Sequence, residues 1–388
     1  MTFNDNFKKL PSSYVFAALA EKKREATEKF GRETIDLGIG DVSLPLFKIV
    51  ADEMKKAAAE LAEADKFKGY PPATGYDFLK DEIIADYEKH GIRLTRDEIF
   101  INDGAKGELF AINSLLGKNS RILFPVPCYP AGVETAVICG NQPIFLSPDE
   151  NGDYLPPFGK PCEAIYLCSP SNPSGKTLGK AELELWTAYA ISVKATIFFD
   201  GAYSDYVQHS GIKSIFQIRG AKKCAAEIRS FSKGYGFTGL RLGYIVIPRE
   251  QKELNALRTR LAGCSSNGVS YITQRGGAAC FTPEGQAELK KRTAYYKTNA
   301  AILKSALRKV GINPVIGNDS PYVYAKCPHG FTEREFLGLM IEKAGVLAAP
   351  GSGFYERNGD YFRLSAFKKR SDVLKAGDGI SALFNLST

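Results

Sequence analysis

The most informative stretch of the sequence lies at positions 230–243 and reads Ser230-Phe231-Ser232-Lys233-Gly234-Tyr235-Gly236-Phe237-Thr238-Gly239-Leu240-Arg241-Leu242-Gly243. A lysine in a Gly/Ser-rich loop is a candidate for a covalent bond with an aldehyde, because neighbouring groups can keep part of its amine unprotonated. Arg241 and Ser230 add possible donors to a phosphate, and the glycines permit a tight turn. The alternative is a flexible surface loop that happens to hold a lysine.

The sequence on both sides of this loop alternates between apolar runs and segments of helix length. Strands are predicted at residues 97–101, 121–124, 164–168, 196–199 and 243–247. A helix is predicted from about Lys106. Continuous apolar runs indicate an α/β fold with a mainly parallel sheet covered by helices. In such sheets ligands bind beyond the carboxyl ends of strands, where most polar residues of interest fall here.

The pattern changes after about residue 278. A long amphipathic segment, Gly285–Lys309, leads into short strands at residues 322–325 and 361–364. This change predicts a second, smaller α+β domain. We therefore expect a large domain of residues 40–278 and a small domain of residues 1–39 and 279–388, which includes an N-terminal arm.

Composition narrows the functional classes. The 388 residues contain 51 Lys and Arg against 43 Asp and Glu, and the charges are interspersed, so a mixed-charge surface is expected rather than a nucleic-acid site. The eight cysteines include no Cys-x-x-Cys pair, so no metal site is expected. The sequence also has no signal-like or membrane-length apolar run. A soluble, cytoplasmic protein without membrane or nucleic-acid partners is therefore predicted.

The lysine motif resembles that of the class I/II, fold-type I aminotransferases, which depend on pyridoxal 5′-phosphate (PLP). The resemblance extends from about Tyr14 to Arg363. It implies the fold-type I architecture and a Schiff base between Lys233 and PLP, with the freed lysine as general base. It also implies ping-pong exchange of an amino group between an amino acid and a 2-oxo acid.

The resemblance further implies how the chain would hold the PLP ring. Asp200, which ends an apolar run, would pair with the protonated pyridine nitrogen and keep the ring electron-accepting. Tyr203 and Asn172 would bind the phenolic oxygen of the cofactor, and Tyr129 would stack on the ring. The alternatives are a helix-capping aspartate at position 200 and a core aromatic at position 129.

The cofactor phosphate is expected at a strand–helix turn. Ala105 and Lys106 follow a glycine there, where free N–H groups and the helix dipole favour an anion. The same phosphate site would include Ser230, Ser232 and Arg241. Tyr70 resembles a residue that reaches the phosphate of the neighbouring subunit, which implies a homodimer with shared active sites.

The substrate residues are expected around one arginine. Arg363 matches the arginine that clamps the substrate α-carboxylate, and Gly40 would bring the backbone close to the same group. Further substrate contacts are expected from Tyr14, Lys106, Tyr129, Asn172 and Asn267.

Among subfamilies, the sequence most resembles LL-diaminopimelate aminotransferase, an enzyme of lysine biosynthesis with 2-oxoglutarate and glutamate as partners. The stretches that carry this resemblance are 102–106, 228–233, 236–239, 267–268, 350–354 and 363–367. The sequence departs from the subfamily at Ala73, where an acidic residue normally helps to bind the far end of the substrate. Alternatives are an aminotransferase for aspartate, aromatic or other amino acids, a PLP lyase or synthase, and a PLP-binding regulatory module.

Overall fold

The computed structural model describes residues 2–31, 33–149, 153–207, 211–315, 317, 319–357 and 359–384. The α-helices are α1 (Val15–Phe30), α2 (Lys48–Glu60), α3 (Asp77–Glu88), α4 (Ala105–Leu115), α5 (Pro130–Ile138), α6 (Lys180–Val193), α7 (Lys252–Ser265), α8 (Tyr271–Ala279), α9 (Pro283–Lys309), α10 (Glu333–Leu339) and α11 (Arg370–Ser381). The strands are β1 (Ile35–Asp36), β2 (Ile99–Asn102), β3 (Arg121–Pro125), β4 (Gln142–Leu146), β5 (Ala164–Cys168), β6 (Thr196–Asp200), β7 (Ala225–Ser230), β8 (Gly243–Val246), β9 (Tyr322–Lys326), β10 (Val346–Leu347), β11 (Ala349–Pro350) and β12 (Tyr361–Ser365).

A seven-stranded sheet forms the centre of the protein, in the order β2-β8-β7-β6-β5-β3-β4. Strand β8 pairs antiparallel with both of its neighbours, and the other pairs are parallel. Strands β5 and β6 are buried on both faces because helices cover the sheet, which explains their continuous apolar sequences. The predicted mainly parallel α/β fold is confirmed.

The sheet collects several polar side chains at one edge. Asp200 ends β6, and Lys233 follows the end of β7, so both lie beyond carboxyl ends of parallel strands. Because β8 runs in the opposite direction, its amino-terminal end reaches the same edge. Arg241, two residues before β8, therefore lies at the same edge as Lys233, because both residues lie in the connection between the antiparallel strands β7 and β8.

Two predicted boundaries differ from the structure for local reasons. The strand predicted from Asp97 begins at Ile99, because Thr95 and Glu98 form a capping box that holds a short 3-10 turn. The helix predicted from Gly285 begins at Pro283, because the Thr282 hydroxyl accepts the N–H of Gly285 and a proline suits the first helical position.

The C-terminal part of the chain, from β9 to α11, contains a three-stranded antiparallel sheet in the order β11-β12-β9, and α10 and α11 pack against this sheet. Strand β1 pairs with β10, and Leu37 packs in the same apolar cluster as residues of α9 and β12. The segment before residue 40 therefore contacts the C-terminal part. A separate apolar cluster lies around β5, β6 and β7 and extends to Leu289 on α9.

No helix in the described ranges combines the length and apolar character needed to cross a membrane.

Candidate active site

A cavity of about 480 Å³ opens at the carboxyl edge of the sheet, where the large sheet meets the C-terminal part. It brings together twelve residues that the sequence predicted: Gly40, Ala105, Lys106, Tyr129, Asn172, Asp200, Tyr203, Ser230, Ser232, Lys233, Arg241 and Arg363. These residues come from positions 40 to 363 of the chain, and the fold alone places them around one space.

Lys233 extends into the cavity from the turn that follows β7. Its Nζ donates a hydrogen bond to the carbonyl of Gly40 and lies 5.4 Å from the centre of the Phe367 ring. The Tyr206 hydroxyl donates to the Lys233 carbonyl at 3.2 Å, which fixes the main chain of the turn. The amine therefore lies between the large sheet and the segment that carries Gly40.

Asp200 lies at the floor of the cavity with its carboxylate buried. Oδ1 accepts the N–H of Ala202 at 3.0 Å, and Oδ2 accepts the hydroxyl of Tyr166. Burial raises the pKa of the Asp200 carboxyl, and the two hydrogen bonds oppose that rise. A cationic ring nitrogen against this carboxylate would stabilise its charged form further.

A hydrogen-bonded group of side chains forms the wall next to Asp200. Arg363 Nη1 donates to Asn172 Oδ1 at 2.7 Å, and Asn172 Nδ2 donates to the Tyr203 hydroxyl at 3.4 Å. The hydroxyls of Tyr203 and Tyr322 are 3.0 Å apart. Burial, followed by the nearby Tyr322, raises the pKa of Tyr203 well above its ordinary value.

Arg363 is fully buried, with 0 % of its surface exposed, on β12. Its guanidinium stacks over the Tyr322 ring at 4.3 Å and also donates to the carbonyl of Gly38. Burial lowers the pKa of Arg363 below its ordinary value. Its hydrogen bonds go to an amide and a carbonyl, and its buried Nε has no hydrogen-bond partner among the described residues, so the group can bind an anion from a ligand.

The start of α4 forms the other end of the cavity. Gly104, just before the helix, has a φ of 113°, and a Cβ there would lie 2.6 Å from Arg241 Nη2. Only glycine lets the guanidinium lie this close to the helix start. Since the first turn of a helix offers unpaired N–H groups and the positive end of its dipole, this end suits a phosphate.

The serines of the lysine turn complete this end of the cavity. The N–H of Ser232 donates to the Ser230 hydroxyl at 3.1 Å, and both serines line the cavity opposite Ala105. Arg241 Nη1 donates to the carbonyl of Thr238 at 3.0 Å, which orients the guanidinium. The donors present therefore fit the phosphate of the expected cofactor.

Tyr14 contacts two residues that line the cavity, Lys106 and Tyr129. Lys106 Nζ lies 4.4 Å from the centre of the Tyr14 ring, and the Tyr14 and Tyr129 hydroxyls are 3.4 Å apart. Burial lowers the pKa of Lys106 and raises the pKa of Tyr129 well above its ordinary value. Tyr14 therefore lies beside the cavity, where it contacts Lys106 and Tyr129.

Three predicted residues, all in the described part of the chain, do not line this cavity: Tyr14, which lies beside it, and Tyr70 and Asn267. Tyr70 is 85 % exposed and Asn267 is exposed on the loop after α7. Ala73 does not line this cavity either, but it lines a separate one to which Arg241 also contributes.

The structure adds residues that sequence reasoning missed. Tyr322 and Phe16 line the cavity beside Arg363, and Tyr166 lies behind Asp200. The only available signal for Tyr322 was Gly40: a side chain at position 40 would collide with the Tyr322 hydroxyl. No sequence pattern distinguishes Tyr166 from a core aromatic in a buried strand.

Comparison with known proteins agrees with this geometry. Residues 32–376 match the family model described as aminotransferase class I and II. An LL-diaminopimelate aminotransferase from Agathobacter rectalis is 40 % identical over 98 % of this chain and 99 % of its own length.

Solved structures show the same fold over nearly the whole chain. An LL-diaminopimelate aminotransferase from Chlamydomonas reinhardtii superimposes with a TM-score of 0.91 and 32 % identity, covering 98 % of each chain. An aspartate aminotransferase from Thermus thermophilus superimposes with a TM-score of 0.88 at 19 % identity, covering 99 % of this chain and 100 % of its own, and shares the fold. With the family model spanning most of the sequence and the expected side chains gathered at one cavity, the chain belongs to the class I and II aminotransferases, PLP-dependent enzymes that move an amino group between an amino acid and a 2-oxo acid.

Proposed function

We propose that this aminotransferase acts on LL-diaminopimelate, with 2-oxoglutarate and glutamate as the other substrate pair. The observation that carries the proposal is the convergence of Lys233, Asp200 and Arg363 on one cavity in a chain 40 % identical to an enzyme of that name. Amino-group transfer needs an amine that can move a proton, a carboxylate behind the ring and a cation for the substrate carboxylate.

We propose that PLP is held by the residues that line both ends of the cavity. Arg241, Ser230, Ser232 and the first turn of α4 would hold its phosphate, and Tyr129 would cover its ring. When bound, PLP supplies an electron-accepting ring next to the substrate α-carbon. Lys233 Nζ would bind the cofactor covalently at rest. The substrate amine would displace it, and the freed lysine amine would then move the proton at the substrate α-carbon.

The substrate would lie between Arg363 and the mouth of the cavity. Arg363 and the backbone at Gly40 would hold the α-carboxylate, and Asn172 and Tyr203 would hold the phenolic oxygen of the cofactor. Tyr14 and Lys106 would contact the far end of the substrate. Lys106 is a cation in this position and would suit a distal carboxylate.

Ala73 favours a second candidate function. The LL-diaminopimelate substrate carries an ammonium group at its far end, and alanine offers this group no acceptor. A transaminase for aspartate, or for an amino acid with an aromatic side chain, has no such requirement.

The test is an absorbance scan of the purified enzyme while amino acids are added one at a time. Conversion of the visible cofactor band by LL-diaminopimelate, with aspartate and aromatic amino acids inactive, would support the first proposal. Conversion of this band only by aspartate or by an aromatic amino acid would show that the enzyme acts on that amino acid and not on LL-diaminopimelate. Release of products without recovery of the amino group on 2-oxoglutarate would indicate a lyase or synthase instead.

We also propose a cytoplasmic homodimer in which each subunit completes the site of its partner, and a division into the large and small domains at residues 40 and 278. The exposure of Tyr70 and Asn267 supports the dimer, because both would be free to contact a second copy.

Gly104→Ala is expected to weaken PLP binding at least about tenfold, because the new Cβ displaces Arg241 and alanine is strained at a φ of 113°. The dissociation constant of PLP, followed by quenching of protein fluorescence, measures the effect. Gly117→Ala is the matched control, since its nearest neighbour would be Ser120 Oγ at an ordinary 3.7 Å. Equal PLP affinity in the two variants would contradict the phosphate assignment.

A hybrid dimer tests the sharing of sites. A Lys233→Ala subunit and a Tyr70→Ala subunit are co-expressed with different tags, and the hybrid dimer is purified. This dimer is expected to show about half of the wild-type activity, because the site that keeps Lys233 receives an intact Tyr70 from the other subunit. The assay uses a PLP concentration that saturates the wild type but not Tyr70→Ala. If Tyr70 served its own subunit, the hybrid would instead be no more active than Tyr70→Ala.

A further inference from the structure

Tyr166 connects the catalytic edge of the sheet to its apolar core. It is the third residue of β5, and its register partner on β6 is Phe198, while Cys168 is the partner of Asp200. Since side chains two residues apart share a face of a sheet, Tyr166 and Asp200 lie on the same face. The long phenol side chain reaches along β5 and donates its hydrogen bond to Asp200 Oδ2.

The Tyr166 ring is held firmly by its neighbours. It packs against Phe124, with ring centres 5.5 Å apart, and lies next to Gly132 on α5. A Cβ at Gly132 would come within 3.5 Å of the Tyr166 ring. The hydroxyl therefore has a fixed position, although the rest of the side chain lies in an apolar cluster.

The location of its acceptor distinguishes Tyr166 from other buried tyrosines, including Tyr87, whose hydroxyl donates to a carboxylate outside the cavity, that of Glu227. A buried phenol needs some acceptor, and a main-chain carbonyl is enough, as for Tyr154, which donates to the carbonyl of Val126 at 3.1 Å. Tyr166 donates instead to a carboxylate that lines the active-site cavity. Hydrogen bonds to a charged acceptor are stronger and favour its charged form.

We propose that Tyr166 is a positioning residue that orients Asp200 and keeps its carboxylate ionised opposite the ring nitrogen of PLP. The inference rests on the proposed role of Asp200 in holding that nitrogen. Burial works against the charged form of Asp200, and only the Ala202 N–H and the Tyr166 hydroxyl are its hydrogen-bond donors among the described residues. Removing the hydroxyl leaves a single donor, so the carboxylate would take up a proton more readily.

The test compares the binding of PLP with that of its 1-deaza analogue, in which a carbon replaces the ring nitrogen. The ratio of their dissociation constants, measured by fluorescence quenching, reports the interaction between Asp200 and the nitrogen without any turnover. Tyr166→Phe is expected to reduce the preference for PLP about tenfold. The matched control, Tyr154→Phe, removes a hydroxyl from the same small cavity behind the site and should keep the wild-type ratio.

A double-mutant cycle identifies where the hydroxyl acts. Asp200→Asn should remove most of the preference, and adding Tyr166→Phe to it should cause no further change. The proposal fails if Tyr166→Phe keeps the wild-type ratio. It also fails if Tyr166→Phe changes the ratio as much in the Asp200→Asn enzyme as in the wild type. Equal ratios in the wild type and in Asp200→Asn would refute the role of Asp200 itself. If Tyr166→Phe binds PLP too weakly to titrate, the 15N chemical shift of the PLP ring nitrogen can be measured at a saturating concentration of labelled PLP. In Tyr166→Phe this shift should lie closer to the value of the unprotonated ring than it does in the wild type. The same shift in both proteins would also refute the proposal.

Discussion

Replacing Lys233 with alanine is expected to lower kcat by more than about 10⁴-fold, because in the proposed mechanism one side chain provides both the covalent attachment of the cofactor and the amine that moves the proton. No backbone change is expected, since alanine is compatible with the turn and the Tyr206 hydroxyl still fixes the carbonyl of residue 233. Steady-state transamination and the visible absorbance of the bound cofactor measure the two roles separately. The absorbance band of the covalent adduct should disappear together with activity.

Lys304→Ala is a suitable control for this experiment. Lys304 on α9 is also partly buried and also donates to a main-chain carbonyl, that of Gly317, but it lies outside the cavity. Its replacement should leave both the absorbance and kcat close to the wild type. Retention of the covalent band in Lys233→Ala would mean that another amine, such as that of Lys106 at the cavity mouth, holds the cofactor, and would overturn the assignment.

The central sheet could be predicted from the sequence because burial on both faces requires continuous apolar runs. Residues 164–168 and 196–199 are such runs, and they form β5 and most of β6. The lysine turn was also predictable, since its glycines and serines serve the turn and not the core. What the sequence could not supply was the direction of β8, which decides that Arg241 reaches the same edge as Lys233.

The residues missed by the sequence share a physical reason. Tyr166 and Tyr322 lie in buried strands, where an aromatic side chain is ordinary core material, and only their hydrogen-bond partners distinguish them. Tyr70 and Asn267 present the opposite difficulty: a single chain leaves them exposed, and their proposed roles depend on a second copy. Local sequence patterns carry neither kind of information.

The environment of Arg363 implies a strong requirement for a ligand carboxylate. Its guanidinium is fully buried, its hydrogen bonds go to a neutral amide and a carbonyl, and aromatic rings cover it at 4.3 Å and 4.7 Å. Such neutral partners orient the group but leave its charge uncompensated. The charge of Asp36 acts on it only weakly, and the Asp36 carboxylate already accepts the N–H groups of Gly38 and Ile39.

Arg363→Lys is therefore expected to lower kcat/KM for α-amino acids about 10²- to 10³-fold while PLP affinity stays unchanged. A lysine has one nitrogen and cannot hold a carboxylate bidentately while also bonding Asn172 and the Gly38 carbonyl. The measurement compares an amino acid with the corresponding amine that lacks the α-carboxylate. The variant should lose most of the discrimination between the two, since the amine never used Arg363.

Arg258→Lys separates this effect from the general cost of changing a buried arginine. Arg258 is also buried, but its two bonds, both of 2.8 Å, go to the Glu108 carboxylate outside the cavity. This control should lower the melting temperature while the enzyme keeps the wild-type preference for the carboxylate over the amine. If Arg363→Lys behaved in the same way, lower in stability but unchanged in preference, the α-carboxylate would have to bind elsewhere in the cavity, and Lys106 would be the cation to test next.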